Sequence, residues 1–190
     1  MYLPAAGVGL NKWEVEMSIR ITSLVAAAAV VASSTSAFAQ SQTFNPTSGG
    51  FAISNSYLML EQSQIIECNI DNLGGTINSS TSATVNANGN NFGAGDGLCS
   101  SVALIQNWTL TPVGSGNDVV ISGIKVNSLL GRCEGTVNGD LDSTGHLTIA
   151  RQSISGYYWL TPWASNPCFV EGEADIRMKL SPFGPVTLVP

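Results

Sequence analysis

Residues 169–180 alternate with a period of two. Val170, Gly172, Ala174, Ile176, Met178 and Leu180 fall on one side, and Glu171, Glu173, Asp175, Arg177 and Lys179 on the other. Successive side chains of a strand point to opposite faces, so this pattern specifies a strand with one dry and one wet face. No segment after Gln40 carries a convincing helical apolar period, so the fold has to be assembled from strands. Residues 119–126 (VVISGIKV) are β-branched and follow the turn-rich residues 114–118. Residues 135–141 and 147–154 flank Asp142-Ser143-Thr144-Gly145 and predict a β-hairpin. Residues 57–66, 76–87 and 102–111 are further strand candidates, and residues 86–97 (NANGNNFGAGDG) form a Gly- and Asn-rich loop. Strands recurring in this way, with Gly, Asn and Ser between them, predict a single-domain, all-β antiparallel sandwich or barrel-like fold.

The part of the chain that builds this domain is bounded by a leader. Arg20 supplies a short basic region after Met17, residues 24–32 (LVAAAAVVA) are apolar, and Ala37-Phe38-Ala39 is a small-residue cleavage signal. We therefore read residues 17–39 as a helical secretory signal peptide and residues 1–16 as an upstream extension from a misassigned start. Residues 40–180 are the all-β domain, and residues 181–190 (SPFGPVTLVP) a Pro-rich tail lying along the surface or loose. The apolar run is well short of the roughly 20 residues that a spanning helix needs, so no permanent membrane anchor is expected. The expected location is outside the cell or on its surface, with the periplasm as the alternative.

Export gives the four cysteines a meaning. An even number in an oxidising compartment predicts two disulfides, and Cys68, Cys99, Cys133 and Cys168 lie too far apart for a C-x-x-C metal or redox motif. Three pairings exist. Neighbouring strands tend to be close in space, which favours Cys68–Cys99 with Cys133–Cys168. Charge narrows the partners: the formal net charge is −6, and past the leader only Lys125, Arg132, Arg151, Arg177 and Lys179 are cationic. An acidic surface poor in lysine lacks the basic footprint that nucleic acids and anionic membranes require.

No catalytic, metal or cofactor constellation emerges. His146, the only histidine, follows the Gly145 turn, and no G-x-S-x-G elbow accompanies it, so it reads as a surface turn residue. Glu171, Glu173 and Asp175 line one strand face, but Arg177 and Lys179 continue the stripe, which marks a solvated face. A glycosidase would pair Glu171 or Glu173 with Asp140 or Asp142 across a cleft. Residues 140–145 open like a calcium loop, yet position twelve is Arg151 where a bidentate Glu is required. The densest aromatic group, Tyr157, Tyr158, Trp159 and Trp163, is the candidate ligand patch. On a strand Tyr157 and Trp159 share a face and Tyr158 takes the other, so at most part of the patch can enter the core.

An ordered series of short features carries a resemblance. It runs through Phe44-Asn45-Pro46-Thr47-Ser48, Leu58-Met59-Leu60, Cys68-Asn69 and Leu98-Cys99 with Val102 and Trp108. It continues through residues 120–126, Gly131-Arg132-Cys133, Gly145-His146-Leu147 and Pro167-Cys168-Phe169-Val170-Glu171-Gly172. Over about residues 43–182 the chain resembles the protein activator of alkane oxidation (PraB) family of small exported bacterial proteins. The resemblance implies a secreted, non-catalytic factor that helps bacteria use hydrocarbons, with hydrophobic compounds or cell-surface polymers as partners. A β-sandwich carbohydrate-active enzyme and a structural adhesin or filament subunit are the alternatives. In the last, residues near Thr43 or in the Pro-rich tail would donate a strand to a neighbour.

Overall fold

The computed structural model describes residues 41–70, 73–89, 94–95, 97–160, 166–180 and 184–190. In chain order they form β1 (Thr43–Asn45), β2 (Gly49–Glu61), β3 (Ile65–Asn69), β4 (Gly74–Ser79), β5 (Ser82–Val85) and β6 (Ala94–Gly95). After a 3-10 turn, Cys99–Ser101, come β7 (Ala103–Leu104), β8 (Trp108–Pro112), β9 (Asp118–Asn127) and β10 (Gly131–Leu141). The series ends with β11 (His146–Tyr158), β12 (Cys168–Met178) and β13 (Thr187–Val189). The leader and the upstream extension lie outside the described residues.

The architecture is a closed antiparallel barrel. Strands pair in the order β12-β11-β10-β9-β8-β5-β4-β2, and β12 returns to β2, which closes eight strands into a ring. Along β12 the alternation read from the sequence holds: Val170, Gly172, Ala174 and Ile176 are buried, while Glu173 and Arg177 are exposed. Closure needs curvature, and bulges supply it. On β9, Ser122 and Gly123 oppose the single Thr136, with Gly123 at φ +75° where L side chains are strained. On β11, Ala150 and Arg151 oppose Glu171 of β12. On the other side of β11, where the β10–β11 register shifts, Gln152 Oε1 accepts from the Asn138 N–H at 2.8 Å.

Each of the three further strand candidates proves to be two strands. Residues 57–66 contain the β2–β3 turn, residues 76–87 the β4–β5 turn, and residues 102–111 the break between β7 and β8. The first two turns contain neither Gly nor Pro. Ser and Gln make them instead, with Ser79 Oγ accepting from Thr81 N at 3.3 Å. The 135–141 and 147–154 hairpin is present, and both strands run longer than read. Leu180, placed on the dry face by periodicity, is 75% exposed because β12 stops at Met178 and the chain turns away.

The two disulfides are Cys68–Cys99 and Cys133–Cys168, with Cα separations of 5.6 and 5.8 Å. Cys68–Cys99 ties β3 to the turn that leads into β7. Among the described residues no ladder joins β3 or β6 to β7, so the cross-link spans a gap in the wall. Cys133 pairs with Gly156 on β11, and a Cβ added there would approach Cys168 Sγ to 2.8 Å. Gly156 thus leaves room for the bridge from β10 to β12.

Turns and termini give the barrel two different ends. At one end the β4–β5, β8–β9 and β10–β11 turns meet a ribbon formed by β1 and β13, whose partners are Thr43↔Val189, Phe44↔Leu188 and Asn45↔Thr187. Phe44 N donates to Ser80 O at 2.7 Å and Gln42 N to Gly114 O at 3.2 Å, which seat the ribbon on those turns. Phe44 and Val186 are buried there. The Pro-rich tail thus ends in a paired strand and contributes to the core. At the other end lie the β2–β3 turn, the β9–β10 turn and the approach to β12 from β11.

Candidate functional site

The second end is where aromatic density and exposed apolar surface coincide. Tyr157 and Trp159 point outward, 36% and 47% exposed, while Tyr158 is half-buried, so the alternation places two aromatics outside and turns the third inward. Tyr158 Oη donates to Gln62 O on the β2–β3 turn at 2.8 Å. Trp159 Nε1 donates to Ser128 O on the β9–β10 turn at 2.8 Å, and its backbone N–H to Leu130 O at 3.1 Å. The polar edge of the indole is therefore fixed to backbone, and the Arg132 guanidinium lies 5.6 Å from the ring centroid. Trp163 falls outside the described residues.

The sequence reading missed the apolar members of this rim. Leu129 is 65% exposed and Leu160 92%, and Ile65, beside the β2–β3 turn, is 54% exposed. Ser128 Oγ accepts from Leu130 N at 3.2 Å and Gly131 N at 3.3 Å, bracing the short turn that presents Leu129 to solvent. A signal existed: Leu129-Leu130 occupies a turn where Gly, Asn or Ser is usual.

The barrel interior offers little room. A cavity of about 40 Å³ lies among Ile53, Ser56, Trp108, Leu110, Ile121 and Ile149, and the Trp108 indole N–H beside it is buried without a partner among the described residues. That is little more than one water's share of liquid volume, whereas an engineered cavity that admits benzene measures about 150 Å³. As the side chains stand, this cavity is smaller than a hydrocarbon ligand needs.

His146 begins β11 and is more than a turn residue. Its Nδ1 lies 2.9 Å from Asp175 Oδ1, directly across the ladder, and its Nε2 3.7 Å from Glu173 Oε2. Asp175 also accepts from Asn55 Nδ2 at 2.8 Å; Asn55 has φ +47° at a bulge in β2, a conformation that asparagine tolerates well. The hydrogen bond to Asp175 raises the His146 pKa, and that bond with the one from Asn55 lowers the pKa of Asp175. Asp142 Oδ1 accepts from Thr144 Oγ1, His146 N and Thr144 N, which hold its carboxyl below the ordinary range. Asp142, read as a calcium-loop or glycosidase candidate, is thus occupied by its own turn. Of the other carboxylates, Glu173 stands beside His146, Glu171 faces Met59 across the ladder, and Asp140 sits opposite Thr148 and Asp118. Chemically the cluster clamps the β10–β11 hairpin to β12 and the β2 bulge, with both imidazole nitrogens facing carboxylates.

These features define a small, doubly cross-linked antiparallel barrel with a filled interior and an apolar rim. Within that class the family can be stated. The chain belongs to the alkane oxidation protein activator PraA/PraB-like family, whose model matches residues 17–187. No curated protein and no solved structure matches the chain.

Proposed function

We propose that this protein is an exported, non-catalytic factor that works by adsorbing through the Trp159 end of its barrel to hydrophobic surfaces at the cell exterior, hydrocarbon droplets among them. The observation that carries the reading is the cluster of Leu129, Trp159 and Leu160 at one end, each about half exposed or more. Contiguous apolar surface that stays in water marks a contact site, since burying each such side chain is worth about 1.5–3 kcal/mol. Family membership supports a role in alkane use, and the match begins at Met17, where the leader is read to start. Two disulfides fit an oxidising compartment. A strand-donating filament subunit would have to release β1 or β13, which are paired with each other.

The test is partition of mature protein into a hexadecane–water emulsion, with surface tension followed in parallel. The Trp159→Ala, Leu160→Ser double variant should partition at least about a hundredfold less. Partition equal to the parent would remove the rim from the mechanism.

A further inference from the structure

Beside the rim, on the outer wall, runs an open groove of about 540 Å³ between β10, β11 and the start of β12. Thr136, Ser153, Ser155, Tyr157, Asn166 and Pro167 line it, with Gly135 and Gly156 among the lining residues. We propose that this groove is a binding site for a neutral polysaccharide chain. It is separate from the apolar end and goes beyond the adsorption reading, on which it does not rest.

The chemistry of the lining selects the ligand. Ser153, Ser155 and Tyr157 are alternate residues on one face of β11, so their side chains leave the strand at roughly 6.6 Å intervals. Thr136 and Asn166 add a hydroxyl and an amide from the flanking segments. Hydroxyls and amides both donate and accept, as sugar hydroxyls require. The ring of Tyr157, 36% exposed, and the pyrrolidine of Pro167 supply the apolar faces that stack on a pyranose. None of the lining side chains is charged. The nearest charges on β10 are engaged elsewhere: Glu134 pairs with Lys125 at 3.5 Å, and Arg132 donates to Asn127 Oδ1 at 3.2 Å beneath the Trp159 ring. An ionic ligand would meet only Arg132 and Glu134, both already partnered, and an oily one would strand the hydroxyls.

The experiment measures binding of mature protein to three neutral probes, cellohexaose, laminarihexaose and dextran, by calorimetry and by tyrosine and tryptophan fluorescence. At least one should bind saturably with Kd near or below about 1 mM. Tyr157→Ala should weaken it about tenfold, and Thr136→Arg, which fills an exposed position without touching the core, should abolish it. Trp159→Ala should leave saccharide affinity within about twofold while impairing hexadecane partition, which separates this site from the rim. Absence of saturable binding to all three probes would overturn the proposal. So would affinity that survives both groove variants, or preferential capture of an extended peptide.

Discussion

The barrel's two ends are held by different forces. At the ribbon end, β1 and β13 bring both ends of the domain together over the hairpin turns, and Phe44 and Val186 are put inside, 1% and 2% exposed. At the rim end no terminal segment among the described residues covers the turns, both disulfides lie nearby, and Leu129, Trp159 and Leu160 remain in water. One end gains stability by hiding apolar surface. The other keeps apolar surface outside and relies on cross-links for its shape. Covalent restraint on the unfolded chain stabilises without consuming the side chains of the rim. That division lets a domain of this size expose leucines and a tryptophan together and stay folded.

Removing the ribbon's anchor should have the largest effect. Phe44→Ala deletes a fully buried ring from the closed end and should cost about 3–5 kcal/mol, measured by urea denaturation. Hydrogen exchange should accelerate first at Phe44 N and Gln42 N, with the rim amides protected as before. Loss of protection at both ends together would mean that the ends are one cooperative unit, and the contrast drawn here would fail.

Next comes the rim end's covalent bond. Cys133→Ser with Cys168→Ser opens a loop of 35 residues and should cost roughly 3–4 kcal/mol on the chain-entropy model. The amides of Trp159 and Gly131, bonded to Leu130 O and Ser128 Oγ, should lose protection while β1 and β13 keep theirs. A variant that weakens hexadecane partition along with local protection would link rim shape to function. Unchanged partition would show that the apolar side chains suffice without their geometry.

How much of this contrast was legible in the sequence depends on the range of the forces involved. The wet and dry faces of β12 are a local pattern, and so is the Asp142–Gly145 turn; both were read correctly. Cys68–Cys99 and Cys133–Cys168 could be favoured because neighbouring strands tend to be close. The ribbon could not be read: Thr43 and Val189 are paired across almost the whole domain, and nothing near either residue announces the other. The His146–Asp175 contact likewise depends on register between β11 and β12, and on a bulge that aims Asn55 at the same carboxylate. Apolar periodicity overreached at Leu180, because a pattern cannot say where a strand stops. The rim was half visible: the aromatics drew attention, and Leu129 did not, since apolar residues are usually assigned to the inside.

The smallest effect is set by pH, and it bears on the clamp beside the ribbon end. His146 has its pKa raised above the ordinary 6.5 by Asp175, so its contribution is complete below that value and fades as pH rises through the raised one. Asp175, lowered from 3.8 by His146 and Asn55, contributes fully above 3.8 and loses its share as pH falls through the lowered value. The pair is therefore strongest between about pH 4 and 6.5, and Tm should fall modestly from pH 6 to pH 8. His146→Asn should flatten that slope, and the parent and variant curves should converge at high pH. The side chains are 36% and 22% exposed, so solvent screening keeps the effect small. Rim adsorption should not follow it: hexadecane partition at pH 6 and pH 8 should agree once both samples are folded. If partition tracked the His146 titration instead, the two ends would be coupled through the barrel wall, and the rim would be a switched surface.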